Sequence, residues 1–125
     1  MNLLLDVHAL LWWLEDHKSL SAKARRAIRN GRNTVFVSAA TAWEISIKQT
    51  LGKLQAPDDL EDALIANRFH PLPIAINHAI AAGKLPRHHD DPFDRMLVAQ
   101  AQANRLTLIT HDARISLYDV PILWK

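Results

Sequence analysis

The segment Leu3-Leu4-Leu5-Asp6-Val7-His8-Ala9-Leu10-Leu11-Trp12-Trp13-Leu14 changes its hydrophobic spacing at a single acid. Before Asp6 the run is continuously apolar, as in a strand buried on both faces. From His8 onward, Leu10, Leu11 and Leu14, with Trp13, mark one face of an amphipathic helix. A strand that feeds a helix through one carboxylate is the opening of an α/β unit, and the same alternation recurs downstream. Thr34-Val35-Phe36-Val37 reads as a second buried strand, followed by Ser38 as the cap of a helix from about Ala40 to Leu51, ending near Gly52. Leu106 to Thr110 is a third strand, and Val120 to Leu123 a short fourth. Phe69 to Ile74 carries Pro71 and Pro73, so a strand there must be short or at an edge.

The remaining punctuation is consistent with this reading. Ser21 caps a helix through Arg29, and Asn30-Gly31 stops it. Pro57-Asp58 opens a helical stretch over Asp59 to Arg68. Asn77 is placed as the cap of a helix through Ala82 that Gly83 closes. Leu85 to Asp91 is polar, histidine-rich and read as a loop. Asp91-Pro92 opens a helix that runs to about Asn104, with a cap residue before proline at the first helical position. Alternating strands and helices define an α/β domain with a mostly parallel central sheet and helices on both faces. No repeat or linker interrupts the 125 residues, so residues 1–125 are expected to form one domain.

Composition narrows the function classes. With 49% apolar and 22% charged residues the chain is globular rather than disordered. It has no cysteine, which removes disulfides, thiolate zinc sites and a cysteine nucleophile. The N-terminus lacks a basic region and carries an acid at position six, unlike a signal peptide, and no apolar run is long enough for a membrane helix. A soluble cytoplasmic protein is the expectation. The net charge of +2 does not oppose a polyanionic partner. Lys18, Lys23, Arg25, Arg26, Arg29 and Arg32 crowd one stretch, either a solvated helix face or a phosphate-contacting surface.

The chemistry lies in the acids. In open parallel sheets, ligands bind outside the carboxyl ends of the strands. Asp6 directly follows the first strand, and Asp112 follows Thr110 by one residue. Glu44 lies about two turns into the helix after the second strand, and Asp94 in the first turn of the helix begun by Pro92. If those helix starts share the edge, four carboxylates converge, and such a cluster suits a hard divalent cation. Each acid also has a structural explanation. Asp6 and Asp91 serve as helix caps, Asp94 as a helix-dipole acid, Asp112 as a turn cap, and Glu44 as a partner for Lys48 four residues on.

The same segments resemble a known family. Leu3 to Trp12, Ser38-Ala39-Ala40-Thr41-Ala42-Trp43-Glu44-Ile45, His89 to Leu97 and Leu108-Ile109-Thr110-His111-Asp112 are similar, in order, to the four acidic motifs of PIN-domain nucleases. Within that family they resemble the VapC-type toxins of bacterial type II toxin–antitoxin systems; Asp91-Pro92-Phe93-Asp94-Arg95 is the most specific block. The resemblance implies an endoribonuclease that cleaves RNA by metal-activated water, with Asp6, Glu44, Asp94 and Asp112 as catalytic and metal-binding acids and Mg²⁺, or Mn²⁺, as cofactor. It places Thr110 as a supporting hydroxyl and assigns the metal role to Asp94 rather than Asp90 or Asp91. It further implies a homodimer silenced by a cognate antitoxin protein.

Several neighbours of the acids complete the expectations. Asp91 is expected to cap its helix and to help through a water or by orienting Arg95, and Arg95 to orient Asp94 or Asp91. Lys48 and Lys53 are candidates for contact with RNA or antitoxin, and Trp12 for a partner-facing ring. His111 reads as a solvated loop residue or a substrate contact. The alternative to an enzyme is a PIN-like module that binds RNA or protein with little or no cleavage. An aspartyl phosphatase is disfavoured because His8 stands where a second Asp is usual, and a phosphoreceiver because no acidic pair precedes its acceptor.

Overall fold

The structure, a computed structural model, describes residues 1–125. Its elements in chain order are β1 (Asn2–Leu5), α1 (Val7–Leu14), α2 (Ala22–Arg29), β2 (Thr34–Ser38), α3 (Ala39–Thr50), α4 (Leu60–Ala66), β3 (His70–Leu72), α5 (Ile76–Lys84), α6 (Pro92–Asn104), β4 (Thr107–Ile109), a 3-10 turn (Ile115–Leu117) and β5 (Ile122–Leu123). The strands form one five-stranded sheet in the order β3-β2-β1-β4-β5. Every pairing is parallel, so the expected mostly parallel sheet is wholly parallel.

The apolar run of β1 is explained by its central place. Register pairs Leu4 with Phe36 on β2 and with Leu108 on β4, and Leu108 in turn with Ile122 on β5. These side chains face Leu97, Val98, Ala101, Ile115 and Tyr118 on one side of the sheet. Leu3 and Leu5, with Val35, Val37 and Ile109, face Leu10, Leu11, Ala24 and Ile28 on the other. Because side chains alternate along a strand, a triple leucine feeds both cores at once. All three are fully buried.

Caps fix where the helices begin. The Ser21 hydroxyl accepts from Ala24 N–H, the Ser38 hydroxyl from Ala40 N–H, and the Asp91 carboxylate from Phe93 and Asp94 N–H, as the sequence indicated. Other boundaries differ. α5 starts at Ile76, not after Asn77: the Ala75 N–H donates to the His78 ring at 2.9 Å, so a longer side chain satisfies the helix start. Gly83 lies inside that helix, which continues to Lys84. α4 is shorter than the stretch Asp59–Arg68, ending at Ala66 with Arg68 in a left-handed conformation. β3 is short and at the edge, with Pro71 inside it.

The topology sets the position of the site. From β1 the chain moves through β2 to β3 on one side, then returns through α5 and α6 to place β4 on the other side of β1. The chain therefore reverses its direction across the sheet between β1 and β4. A crevice opens at such a reversal, outside the carboxyl ends of the two strands.

Candidate active site

Asp6 sits at the end of β1 in that crevice, 5% exposed. One oxygen accepts from the Ala9 N–H at 2.8 Å and caps α1; the other accepts from the Thr110 hydroxyl at 2.5 Å. Thr110 follows β4, and its oxygen also accepts from the Asp112 N–H at 3.1 Å. The capping and site readings of Asp6 thus coexist in one side chain. Burial pushes its carboxyl above the usual carboxylate range, while the bonds from Thr110 and Ala9 pull it down.

Asp6, Glu44, Asp94 and Asp112 all line one cavity of about 360 Å³, together with Asp91, His89 and Lys48. Glu44 is buried and its Oε2 lies 2.5 Å from Lys48 Nζ. That bond raises the Lys48 ammonium above its usual value, so Lys48 is engaged by Glu44 yet still borders the cavity. Lys53 is exposed in the turn after α3 and is not among the residues lining the cavity.

Asp94 is pushed up to about 7, chiefly by desolvation and then by the neighbouring carboxylates Asp91 and Asp6, with His89 acting in the opposite direction. Asp91 spends its carboxylate on the N-terminus of α6, and Asp90 is exposed on the loop.

His89 lies among the acids, although its spacing in the sequence disfavours a histidine metal site. It is 8% exposed, and its Nε2 lies 2.8 Å from Asp94 Oδ2 and 3.3 Å from Asp112 Oδ2, without a well-angled hydrogen bond to either. The Asp91 N–H donates to its Nδ1 at 3.3 Å, which directs Nε2 at the acids. The available signal was its place two residues before the Asp91 cap.

Arg95 corrects an expectation. Its guanidinium turns away from Asp94 and Asp91 and donates to the carbonyls of Ala82, Leu85, Pro86 and His89 at 2.9 to 3.2 Å. The Tyr118 hydroxyl donates to Pro86 O at 2.7 Å and accepts from His89 N–H at 3.0 Å. Together they tie down the segment 82–89 and so hold His89 in place, a task for which a planar fork of donors is suited. Trp12 is half-buried and lines the cavity with His8, His111 and Trp124.

The donor set fits a hard divalent cation. Five carboxylates line the cavity against one ammonium and the His89 ring. Single ligand atoms of His89, Asp94 and Asp112 lie within 4.8 Å of one another. Carboxylate oxygens held that closely in a partly desolvated cleft are relieved by a cation.

Comparison with known proteins agrees with the fold. A family profile described as the PIN domain matches residues 3–121, and the chain belongs to the PIN-domain family. Ribonuclease VapC16 of Mycobacterium tuberculosis is 34% identical over a match covering 53% of this chain and 51% of that protein. The chain thus spans about half the length of the curated relative it matches. Among solved structures, VapBC2 from Rickettsia felis bound to a promoter DNA fragment superposes over 100% of both chains with a TM-score of 0.71 at 14% identity. VapBC-1 from nontypeable Haemophilus influenzae superposes over 98% of this chain and 97% of that one, with a TM-score of 0.66 at 19% identity. At these identities the likeness is one of fold. No helix of the chain is long and apolar enough to cross a membrane.

Proposed function

We propose that the protein is the toxin of a type II toxin–antitoxin system, a cytoplasmic divalent-metal-dependent endoribonuclease formed by residues 1–125 as one PIN domain. The convergence of Asp6, Glu44, Asp94 and Asp112 on one cavity at the crevice between β1 and β4 carries this reading. The relative named as a ribonuclease and the toxin–antitoxin complexes of like fold support it.

Asp94, Asp112, Asp6 and Glu44 would hold Mg²⁺ or Mn²⁺. When bound, the ion supplies Lewis-acid polarisation of a phosphodiester and a water acidic enough to act as nucleophile near neutral pH. The chain's own groups set the scene for that chemistry. Thr110 orients the Asp6 carboxylate and, through the Asp112 N–H, the loop carrying Asp112. Lys48 holds Glu44 and adds positive charge at the rim, where a polyanion approaching carboxylates needs it. His89 Nε2 lies between Asp94 and Asp112, 2.8 and 3.3 Å from their Oδ2 atoms.

A protein partner suits the surface. Ile65 on α4 and Ile76 and Ile80 on α5 are exposed at 72%, 78% and 54%. Exposed apolar groups of this size fit a second copy of the chain or an antitoxin segment. The deciding experiment is cleavage of RNA by purified wild type, Asp6→Asn and Asp94→Asn, each with Mg²⁺ and with chelator. Both substitutions and chelation are expected to abolish cleavage. Cleavage that survives either one overturns the proposal.

A further inference from the structure

The cavity has two chemically unlike sides. One is the carboxylate cluster. The other is a run of rings that the acid chemistry does not use. His111 stacks on Trp124 with centroids 5.1 Å apart and planes at 26°. Trp124 lies 5.9 Å from Trp12, and Trp12 lies 5.4 Å from His8. All four line the same cavity as the acids.

Core packing accounts for only part of this run. Trp124 is 8% exposed and packs within the core on the α1 and α2 side of the sheet. Its backbone carbonyl accepts from the Ser21 hydroxyl, which anchors it to the start of α2. His111 and His8 are exposed, with their rings near those of the indoles and facing the cavity rather than the core. Both are tied to the acids by the chain: His111 immediately precedes Asp112, and His8 follows Asp6 by two residues. Any phosphate held over the carboxylates therefore brings its own nucleoside close to these rings.

We propose that this ring-bearing side is a stacking subsite for one unpaired RNA base beside the scissile phosphodiester; the inference rests on the ribonuclease reading above. Three observations converge on an unpaired base. A cavity of about 360 Å³ is of a size to admit a single nucleotide. Every base has a face that stacks on indole or imidazole, whereas a duplex keeps those faces covered. A site lined by five carboxylates needs attraction that does not depend on backbone charge, and stacking provides it.

The test uses the purified full chain in Ca²⁺ and two dye-labelled probes: a mixed-sequence single-stranded RNA octamer with phosphorothioate linkages, and an abasic octamer of the same backbone. Binding is read by anisotropy and by quenching of tryptophan fluorescence. Wild type is expected to prefer the base-bearing octamer about tenfold or more, in line with stacking strengths of this kind. The His8→Ala/His111→Ala double variant is expected to lose that preference while binding the abasic octamer as before. His111→Phe, which keeps a ring, is expected to retain it, which separates stacking from a general effect on the fold. Equal wild-type affinity for the two octamers, or unchanged preference in the double variant, overturns the proposal and leaves the rings to a protein partner. If RNA is still cleaved in that case, only the stacking subsite has failed; loss of the nuclease reading is seen separately, as cleavage that ignores Asp94→Asn or chelation.

Discussion

Replacing Asp94 by Asn should make the metal-free protein more stable at alkaline pH, although it removes a site residue. Asp94 is surrounded by Asp91, Asp6 and Glu44 and is largely buried, and its carboxyl is lifted from 3.8 to about 7. A rise of that size corresponds to about 4 kcal/mol favouring the protonated folded form. The folded state therefore holds a proton that the unfolded chain has released. That stability is fully present below about pH 4 and is lost as pH rises through about 7. Asparagine is neutral throughout and avoids the loss. Against this, the variant gives up a favourable acid in the first turn of α6, roughly 0.3–1 kcal/mol, and the electrostatic approach to His89 Nε2, up to about 1 kcal/mol. A net gain of about 2 kcal/mol at pH 8 is expected, shrinking towards zero or below at pH 4. Urea denaturation of both proteins in chelator, from pH 4 to 8, measures it. Saturating Mg²⁺ should reverse the order, because only wild type retains the full acid set and a ligand at one hundred times its Kd adds about 2.7 kcal/mol. A variant that is less stable than wild type at pH 8 in chelator, or a stability difference that does not move with pH, would refute the reasoning.

Thr110→Val removes the donor to Asp6 and the acceptor for the Asp112 N–H, and should cost about 1–3 kcal/mol by denaturation, with Thr110→Ser close to wild type. Arg95→Ala should destabilise by about 2–4 kcal/mol and speed hydrogen exchange of the amides of 82–89; Arg95→Lys should not rescue it, since one ammonium cannot span four carbonyls. Affinity for Mn²⁺, measured by calorimetry, should fall about tenfold per pH unit below about 7 as a proton competes for Asp94; an affinity flat between pH 5 and 7 would contradict the site described.

The sheet was legible in the sequence because its signals are local. Leu3, Leu4 and Leu5 had to be buried on both faces, and Pro71 confined β3 to an edge. Ser21, Ser38 and Asp91 marked helix starts because a cap bonds to an amide two or three residues away. Asn77 misled because the His78 ring reaches back to the Ala75 N–H, a bond that cap preferences for short side chains do not anticipate. The four acids could be placed at one edge by strand order alone. The position of His89 could not, since it depends on Tyr118, 29 residues distant, and on an Arg95 fork that gathers carbonyls from the preceding loop. Nor could the ring run be read, as Trp12 and Trp124 meet only across the finished sheet.

The central strand of this sheet is made first and completed late. β1 gains β2 as a neighbour early, but its other edge stays open until Thr107–Ile109 has been synthesised and has found it. The Asp6 amide itself donates to the Ile109 carbonyl at 3.2 Å, so the first acid is not fixed until the last of the acid-bearing segments arrives. A ribosome must therefore release the chain beyond Asp112 before the carboxylates can meet. The carboxylates of the growing polypeptide stay apart through most of its synthesis, and any partner that captures the chain before β4 docks would keep them so.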